Sequence, residues 1–295
     1  NPSSESTFSS VHVSEQTLPV TSASLGLSTA PRVFTKILAP VVAFLYLSGV
    51  SDFPYLDDWL ISASSLSKVQ QDLRLVLNVL QRLGFCINWE KSSLVPAQQK
   101  QFIEALFDTL LARVFLPQSR ILVIQQAVLD LVSRPDASAR CWLRVQGLMA
   151  ANTAVVPWAR FHLKPVMNHL LDAWSPSLQP LETLVSVSPM IRQDLTWWSV
   201  RENLSKGVPL LLPSPLVLTT DASAWGWGAT LGVLEGQGAW SPYQASQSSN
   251  WGELRAVWMA LQFFAPQLMG KSILVRTDNQ VARAYVNRQG GTRSA

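Results

Sequence analysis

Residues 53 to 62 read FPYLDDWLIS and set two aspartates, Asp57 and Asp58, side by side in an otherwise apolar run. At about 4 Å and an effective dielectric near 20, two carboxylates repel by roughly 4 kcal/mol, so the pair needs a cation or a solvated turn. The flanking apolar residues predict strand, tight turn, strand, with the aspartates at the turn. Aspartate favours turns through its own hydrogen bonds, which accounts for an isolated pair. Tyr-x-Asp-Asp between two strands says more, because it pushes both carboxylates into the mouth of a sheet, where divalent metals bridge them to phosphate oxygens. Nucleotidyl transfer needs that arrangement: one metal activates a 3′ hydroxyl and the other steadies the departing pyrophosphate.

A second carboxylate set lies near the other end: Asp221 in LTTDASAWGWGA, Glu253 in WGELRAV and Asp278 in VRTDNQ. Each has a local explanation. Asp221 suits a strand-end turn, Glu253 a capping box with Asn250, and Asp278 the cap of the next helix. The intervening pattern, however, places Asp221 on a first strand, Glu253 in the first turn of the following helix and Asp278 at the end of a fourth strand. The three then meet at one rim of a mixed sheet. Acids that converge with no cationic partner among them point to metal, with two ions about 4 Å apart straddling a scissile phosphate.

The elements that must hold these residues follow from period and punctuation. Residues 1–24 are rich in Ser and Thr with little periodicity and read as irregular. The stretch STAPRVFTKILAPVVAFLYLSG predicts a helix with Ser28 or Thr29 as N-cap, Pro31 in its first turn and Gly49 as its stop. Leu66, Val69, Leu73, Val76, Leu77 and Leu80 share one face of a second helix that Gly84 ends. CINWEKSSLVP and QFIEALFDTLLARVFLP predict short strands and a hairpin. Residues 121–212 are mostly helical by period, broken at Pro135, Pro157, Pro165, Pro176 and Pro180. The seam GVPLLLPSPLVL is the best domain boundary. Beyond it run strands LVLTTDAS, GWGATLGV and QGAWSPY, helix WGELRAVWMALQFF, strand SILVRTDN and helix QVARAYVNRQ.

With 295 residues, 48% apolar and 14% charged, the chain is long enough for two domains with a sizeable core, which excludes general disorder. Residues 100–164 carry eight cations and four anions, a local net of +4 that equals the formal charge of the whole chain. That clustering suits a strip tracking phosphates, and equally a solvated face. Cys86 and Cys141 stand alone, in no metal-ligand or disulfide spacing, which fits an intracellular, reducing setting. The longest apolar run, residues 37–50, has 14 residues and holds Pro40, whereas a membrane span needs about 20. It predicts a buried helix and no membrane partner. There is no initiator Met and no secretory leader, so both ends read as cut from something longer. His12, His162 and His169 form no ligand spacing, and the twelve Trp, Trp197 and Trp198 included, suit a core before a base-stacking platform.

In this order, LGLSTAPRVFTK, YLDDWLI, LGFCINWEKSSLVP, TTDASAWGWGA, ELRAV and VRTDNQVARAYVNRQGG resemble the reverse transcriptase and ribonuclease H segment of DIRS-type retrotransposons, over residues 25–295. The resemblance implies an α+β and α/β multidomain fold: a partial right-hand polymerase palm over 25–120, a helical thumb and connection over 121–214, and a ribonuclease H-like mixed sheet over 215–295. It implies Asp57 and Asp58 as palm metal carboxylates, Tyr55 against the primer and template, and Lys91 as an acid near the departing pyrophosphate. Asp221, Glu253 and Asp278 become nuclease metal ligands. The implied cofactor is Mg2+, two per active site in a complete enzyme. The implied partners are RNA template, DNA primer, RNA·DNA hybrid, dNTPs and the rest of a polyprotein, with Arg140, Arg144 and Lys164 on nucleic acid.

The departures from that pattern are specific. Such polymerases use a further aspartate on an earlier palm strand, and before Leu25 the only acids are Glu5 and Glu15. The fingers are missing. Leu25 replaces the usual Phe, and Glu104 replaces a small Gly in the hairpin after the palm. The nuclease of the family uses a fourth carboxylate beyond the residues present. Three readings follow: a fragment of a polymerase and ribonuclease H, a non-catalytic remnant that at most binds nucleic acid, and a general metal-dependent nuclease, which leaves FPYLDD unexplained.

Overall fold

A computed structural model describes residues 7–14, 28–211 and 214–289. The chain divides into two compact units, Asn1–Ile121 with Ser205–Leu210 and Leu122–Leu204 with Leu211–Ala295.

The first unit opens with strand β1 (Thr7–Ser14), then helix α1 (Ala30–Leu47), strands β2 (Ser51–Tyr55) and β3 (Asp58–Ala63), helix α2 (Leu66–Arg82) and strands β4 (Cys86–Ile87) and β5 (Ser93–Ala97). The sheet order is β2-β3-β1-β4, with β5 also paired to β1. β1 corrects the expectation of irregular chain for residues 7–14, and the rest of that stretch, residues 1–6 and 15–24, lies outside the described residues. Thr7, Phe8, Ser9, Ser10 and Val11 are all buried, so this strand is covered on both faces and its small serines fit where bulk would not. Ser-rich composition resembles a loop and hides such a strand.

Beneath the sheet, Val11, Trp59 and Ile61 pack with Leu38, Val41 and Leu45 of α1 and Val69, Leu73, Val76 and Leu80 of α2. Asp72 interrupts that α2 stripe. It is buried against Lys68, whose Nζ also donates to the Gly49 carbonyl at 3.0 Å. The buried helix expected over 37–50 is instead mostly exposed: only Leu38, Val41 and Leu45 of α1 are buried. By length and composition α1 is apolar enough to cross a membrane, yet this stripe seats it on the sheet.

Strands β6 (Gln99–Phe102), β7 (Ala105–Asp108) and β8 (Arg113–Phe115) form the expected hairpin series. The tip between β6 and β7 holds Ile103 at φ +43° and Glu104 at φ +60°, a left-handed pair that suits Asn-Gly far better.

Helices α3 (Gln118–Val132), α4 (Ala139–Ala151), α5 (Ala159–Ala173), α6 (Pro189–Ser199) and α7 (Arg201–Ser205) make up the helical middle, with a small ribbon of β9 (Asp136–Ser138) and β10 (Leu184–Ser186). Trp142 and Trp198 are fully buried there. His162 stacks on Trp197 with ring centroids 4.1 Å apart and meets Asp194 at 3.2 Å, while His169 meets the Ser186 carbonyl, so both histidines serve packing. β11 (Val208–Pro209) then pairs with β8.

The tail comprises strands β12 (Leu216–Ala222), β13 (Gly226–Leu231) and β14 (Leu234–Ala239), helices α8 (Pro242–Ala245), α9 (Ser249–Phe263) and α10 (Ala265–Leu268), strand β15 (Ile273–Arg276) and helix α11 (Gln280–Arg288). Its sheet runs β14-β13-β12-β15, antiparallel except for the β12/β15 pair. β14 begins earlier than the expected strand QGAWSPY, because the turn at Gly232 (φ +62°) closes the hairpin and Tyr243 belongs to α8.

Candidate metal centre and aspartate hairpin

α9 lies on the tail sheet through Ala256 and Ala260, packed with Leu218, Trp227, Ala229, Leu231, Phe264 and Leu268. The buried stripe of the helix is Glu253, Ala256, Val257 and Ala260, so a carboxylate opens a row that is otherwise apolar. Glu253 is only 5% exposed. Asp221 is the penultimate residue of β12. β15 runs parallel to β12, with Thr219 beside Arg276, so the chain leaving β15 delivers Thr277 and Asp278 to the same rim. Carboxylate oxygens of Asp221, Glu253 and Asp278 all lie within 4.8 Å of one another.

The capping explanations for Glu253 and Asp278 fail, while Asp221 does stand at a strand end. Ser248 caps α9, its hydroxyl accepting from Trp251 N, and Asn279 caps α11, its side chain accepting from Ala282 N. Glu253 is the fifth residue of α9, past the first turn where it was expected, because the helix starts at Ser249, two residues before Trp251. Asp221 accepts from its neighbour Ala222 N at 3.0 Å, which leaves its other oxygen for the cluster.

The electrostatics ask for a cation. Burial pushes the Glu253 carboxyl above the ordinary glutamate range, and the charges of Asp221 and then Asp278 push it the same way. Thr277 Oγ1 donates to Glu253 Oε2 across a long 3.5 Å, a weak compensation. Among the described residues no salt bridge reaches the three acids. An all-oxygen, all-anionic donor set fits a hard divalent cation such as Mg2+. Sequence reasoning missed Thr277, although its place directly before Asp278 was a signal, and the bond of 3.0 Å from Asn279 Nδ2 to Asn250 Oδ1 that ties the starts of α9 and α11.

The other aspartates lie on the expected hairpin, but only Asp57 is in its turn, and Asp58 opens β3 instead of sharing the turn. Tyr55 faces Asp58 across the β2/β3 hairpin, whose turn is Leu56 and Asp57. Leu56 adopts φ +55°, a left-handed conformation costing a branched residue about 1–2 kcal/mol. That strain holds Asp57 at the exposed tip, with Asp58 half-buried behind it and Tyr55 exposed. β1 lies on the other side of β3, and the residue opposite Asp58 is His12. β1 reads TFSSVHVS and supplies no carboxylate. The hairpin thus brings two acids together, and among the described residues the three-acid cluster is the one in the tail. Lys91 lies in the turn after β4, its amide donating to Asn88 Oδ1 at 3.1 Å.

Arg140 and Arg144 stand one turn apart on α4, both exposed, and Lys164 is half-buried on α5. Arg140 pairs with Glu182 at 2.6 Å and holds that carboxyl below its ordinary range, so part of its charge is spent locally.

Residues 9–103, which include the aspartate hairpin, match the reverse transcriptase (RNA-dependent DNA polymerase) family. Among solved structures the chain is similar to the foamy viral protease-reverse transcriptase in complex with dsDNA, at TM-score 0.58 and 15% identity, covering 95% of this chain and 61% of that one. The same viral protein in complex with RNA/DNA hybrid gives 0.57 and 16%, covering 91% and 38%. Its dRH form with ds DNA gives 0.56 and 16%, covering 91% and 49%. The fold is that of reverse transcriptase structures. The chain spans between 38% and 61% of the length of those proteins. No curated protein matches it significantly in sequence.

Proposed function

We propose that the chain is part of a retroelement RNA-directed DNA polymerase, of DIRS type, whose residues 215–295 form a ribonuclease H acting on the RNA strand of RNA·DNA hybrids. The observation that carries this reading is the convergence of Asp221, Glu253 and Asp278 in the same chain as a reverse transcriptase match. Asp221 and Asp278 offer exposed oxygens at the rim, and Glu253 anchors the set from the buried face of α9. Bound Mg2+ would supply the activated water and the charge neutralisation that phosphodiester hydrolysis requires. The carboxylates orient it, and their own repulsion makes the site poor at anything except holding a cation. In the first unit Asp57 and Asp58 would hold the metal that neutralises dNTP phosphates, Tyr55 would lie against primer and template, and Lys91 would serve as the acid for pyrophosphate. Arg140, Arg144 and Lys164 track phosphates, and the rest of a polyprotein completes an intracellular enzyme.

One observation favours a second reading for the first unit alone. Among the described residues β1 places no acid beside Asp58, which suits a non-catalytic remnant that binds nucleic acid.

Incubation of the full chain with Mg2+ and a hybrid labelled in its RNA strand tests the proposal. With the chain extended to include the family's fourth carboxylate, cleavage of hybrid RNA but not of single-stranded RNA, lost in Asp278→Asn, is the expected result. No cleavage together with no metal-dependent rise in melting temperature would sink the nuclease reading. Robust primer extension on an RNA template would sink the remnant reading.

A further inference from the structure

The turn from β12 to β13 is fixed from both sides. The Ser223 hydroxyl accepts from the amides of Trp225 and Gly226, each at 3.2 Å, and Ser223 N donates to the Gly226 carbonyl at 2.9 Å. From the end of β14, Trp240 N donates to the Trp225 carbonyl and Trp240 Nε1 to the Ser223 carbonyl, both at 2.9 Å. Position 226 must be glycine, since a Cβ there would lie 2.2 Å from the Gly238 carbonyl oxygen. This rigid turn nevertheless leaves the Trp225 indole 85% exposed. A turn that needs only polar or small residues has no structural use for a bare indole.

The indole lines the same groove, about 570 Å³, as Asp221, Gly228 and Gln237. Gly228 sits opposite Asp221 in the β12/β13 ladder, so a side chain there would stand on the face that carries the Asp221 carboxylate. A Cβ at Gly228 would meet nothing within 4 Å, and the residue has no positive φ. Neither packing nor backbone conformation requires glycine at that position. Glycine inside a strand marks a bulge, a bend or the close approach of a backbone or ligand, and here the β12/β13 register is unshifted and no backbone lies near, which leaves the ligand. A bare aromatic wall therefore stands over an open floor beside a metal-binding rim.

We propose that Trp225 is a substrate-positioning residue: its indole packs on a sugar of the nucleic-acid strand that crosses Gly228 on the way to Asp221. The proposal deepens the hybrid reading above and rests on it. In a duplex the bases are paired and stacked, so the flat apolar surface open to an indole is the sugar edge, with indole N–H free to donate to a phosphate or hydroxyl oxygen. No charged side chain takes part, so no counterion is released, which separates this contact from phosphate tracking by Arg or Lys.

Binding of a labelled RNA·DNA hybrid to the full chain, in Ca2+ so that binding is read without turnover, tests the contact. Trp225→Ala is expected to weaken binding about tenfold, Trp225→Phe to restore part of it, and the lines of log affinity against log salt to stay parallel. The metal-induced rise in melting temperature should be the same in all three proteins. Wild-type affinity in Trp225→Ala, a loss that Phe does not restore, or a changed salt slope overturns the assignment. If the wild-type chain binds no hybrid, the hybrid reading itself fails and takes this contact with it; binding by wild type that ignores Trp225 refutes the contact alone.

Discussion

Asp221 and Asp278, 57 positions apart in sequence, bring carboxylate oxygens within 4.8 Å because β12 and β15 run parallel and end at one rim. The fold places like charges together against their repulsion, so metal-free protein carries a cost that a divalent cation removes. Mg2+ or Mn2+ is expected to raise the melting temperature of the full chain. Asp221→Asn should abolish most of that rise and stabilise the metal-free protein by about 1 kcal/mol, the size of one like-charge interaction at this distance in water. Calorimetric scans with and without metal read both effects, and an unchanged metal response in the variant would refute the assignment.

Asp52 gives a pH dependence of its own. One of its oxygens is buried with no partner, in a cleft lined by Leu38, Val42 and Pro54. Burial pushes its carboxyl above the ordinary range, against a backbone hydrogen bond that pulls it down. A raised acid favours the neutral form in the fold. Its contribution is therefore complete below the unfolded value, near 3.9, and is lost as pH rises through the higher folded value. Asp52→Asn stays neutral throughout. Its stability relative to wild type is expected to climb with pH across that window, as measured by urea unfolding at a series of pH values; a flat difference would show that Asp52 is solvated.

The sequence revealed what depends on local pattern and concealed what depends on burial. YLDD between apolar runs read as a hairpin, and the strands and helices around Asp221, Glu253 and Asp278 followed from period and caps. β1 escaped because Ser9 and Ser10 look like loop residues until both faces of the strand are covered. α1 looked like a core helix by composition, yet Ile37 and Leu47 are 55% and 85% exposed, and only contacts decide which face of an apolar helix is used. Trp225 was hidden among twelve tryptophans because its exposure comes from a turn pinned by Ser223 and Trp240.

The hairpin tip at Ile103 and Glu104 offers a stability test. Both residues sit at positive φ, which costs a non-glycine residue about 1–2 kcal/mol. Glu104 also pairs with Arg120, and an ion pair this exposed returns at most about 1 kcal/mol. Relief of the strain outweighs the lost pair, so Glu104→Gly is expected to stabilise the protein by roughly 0.5–1 kcal/mol, read as a higher urea midpoint at unchanged slope. A lower midpoint would mean that the pair with Arg120 dominates.

The basic middle predicts a ranking. Phosphate contacts release counterions, so hybrid affinity should fall steeply and linearly in a plot against log salt. Each cation that touches a phosphate adds about one to the slope, and its removal weakens binding alike for every sequence. Arg144 is exposed and Lys164 half-buried, with no ion pair formed by either among the described residues, whereas Arg140 is held by Glu182. Arg144→Ala and Lys164→Ala are each expected to lower the slope by about one, and Arg140→Ala by distinctly less, because releasing Arg140 from Glu182 offsets part of what its phosphate contact gains. The control is Glu182→Ala, which frees Arg140 and should tighten hybrid binding at low salt. Fluorescence anisotropy over a salt series gives all four values. Equal slopes for Arg144→Ala, Lys164→Ala and wild type would show a face that is merely solvated and would move nucleic-acid binding elsewhere on the chain.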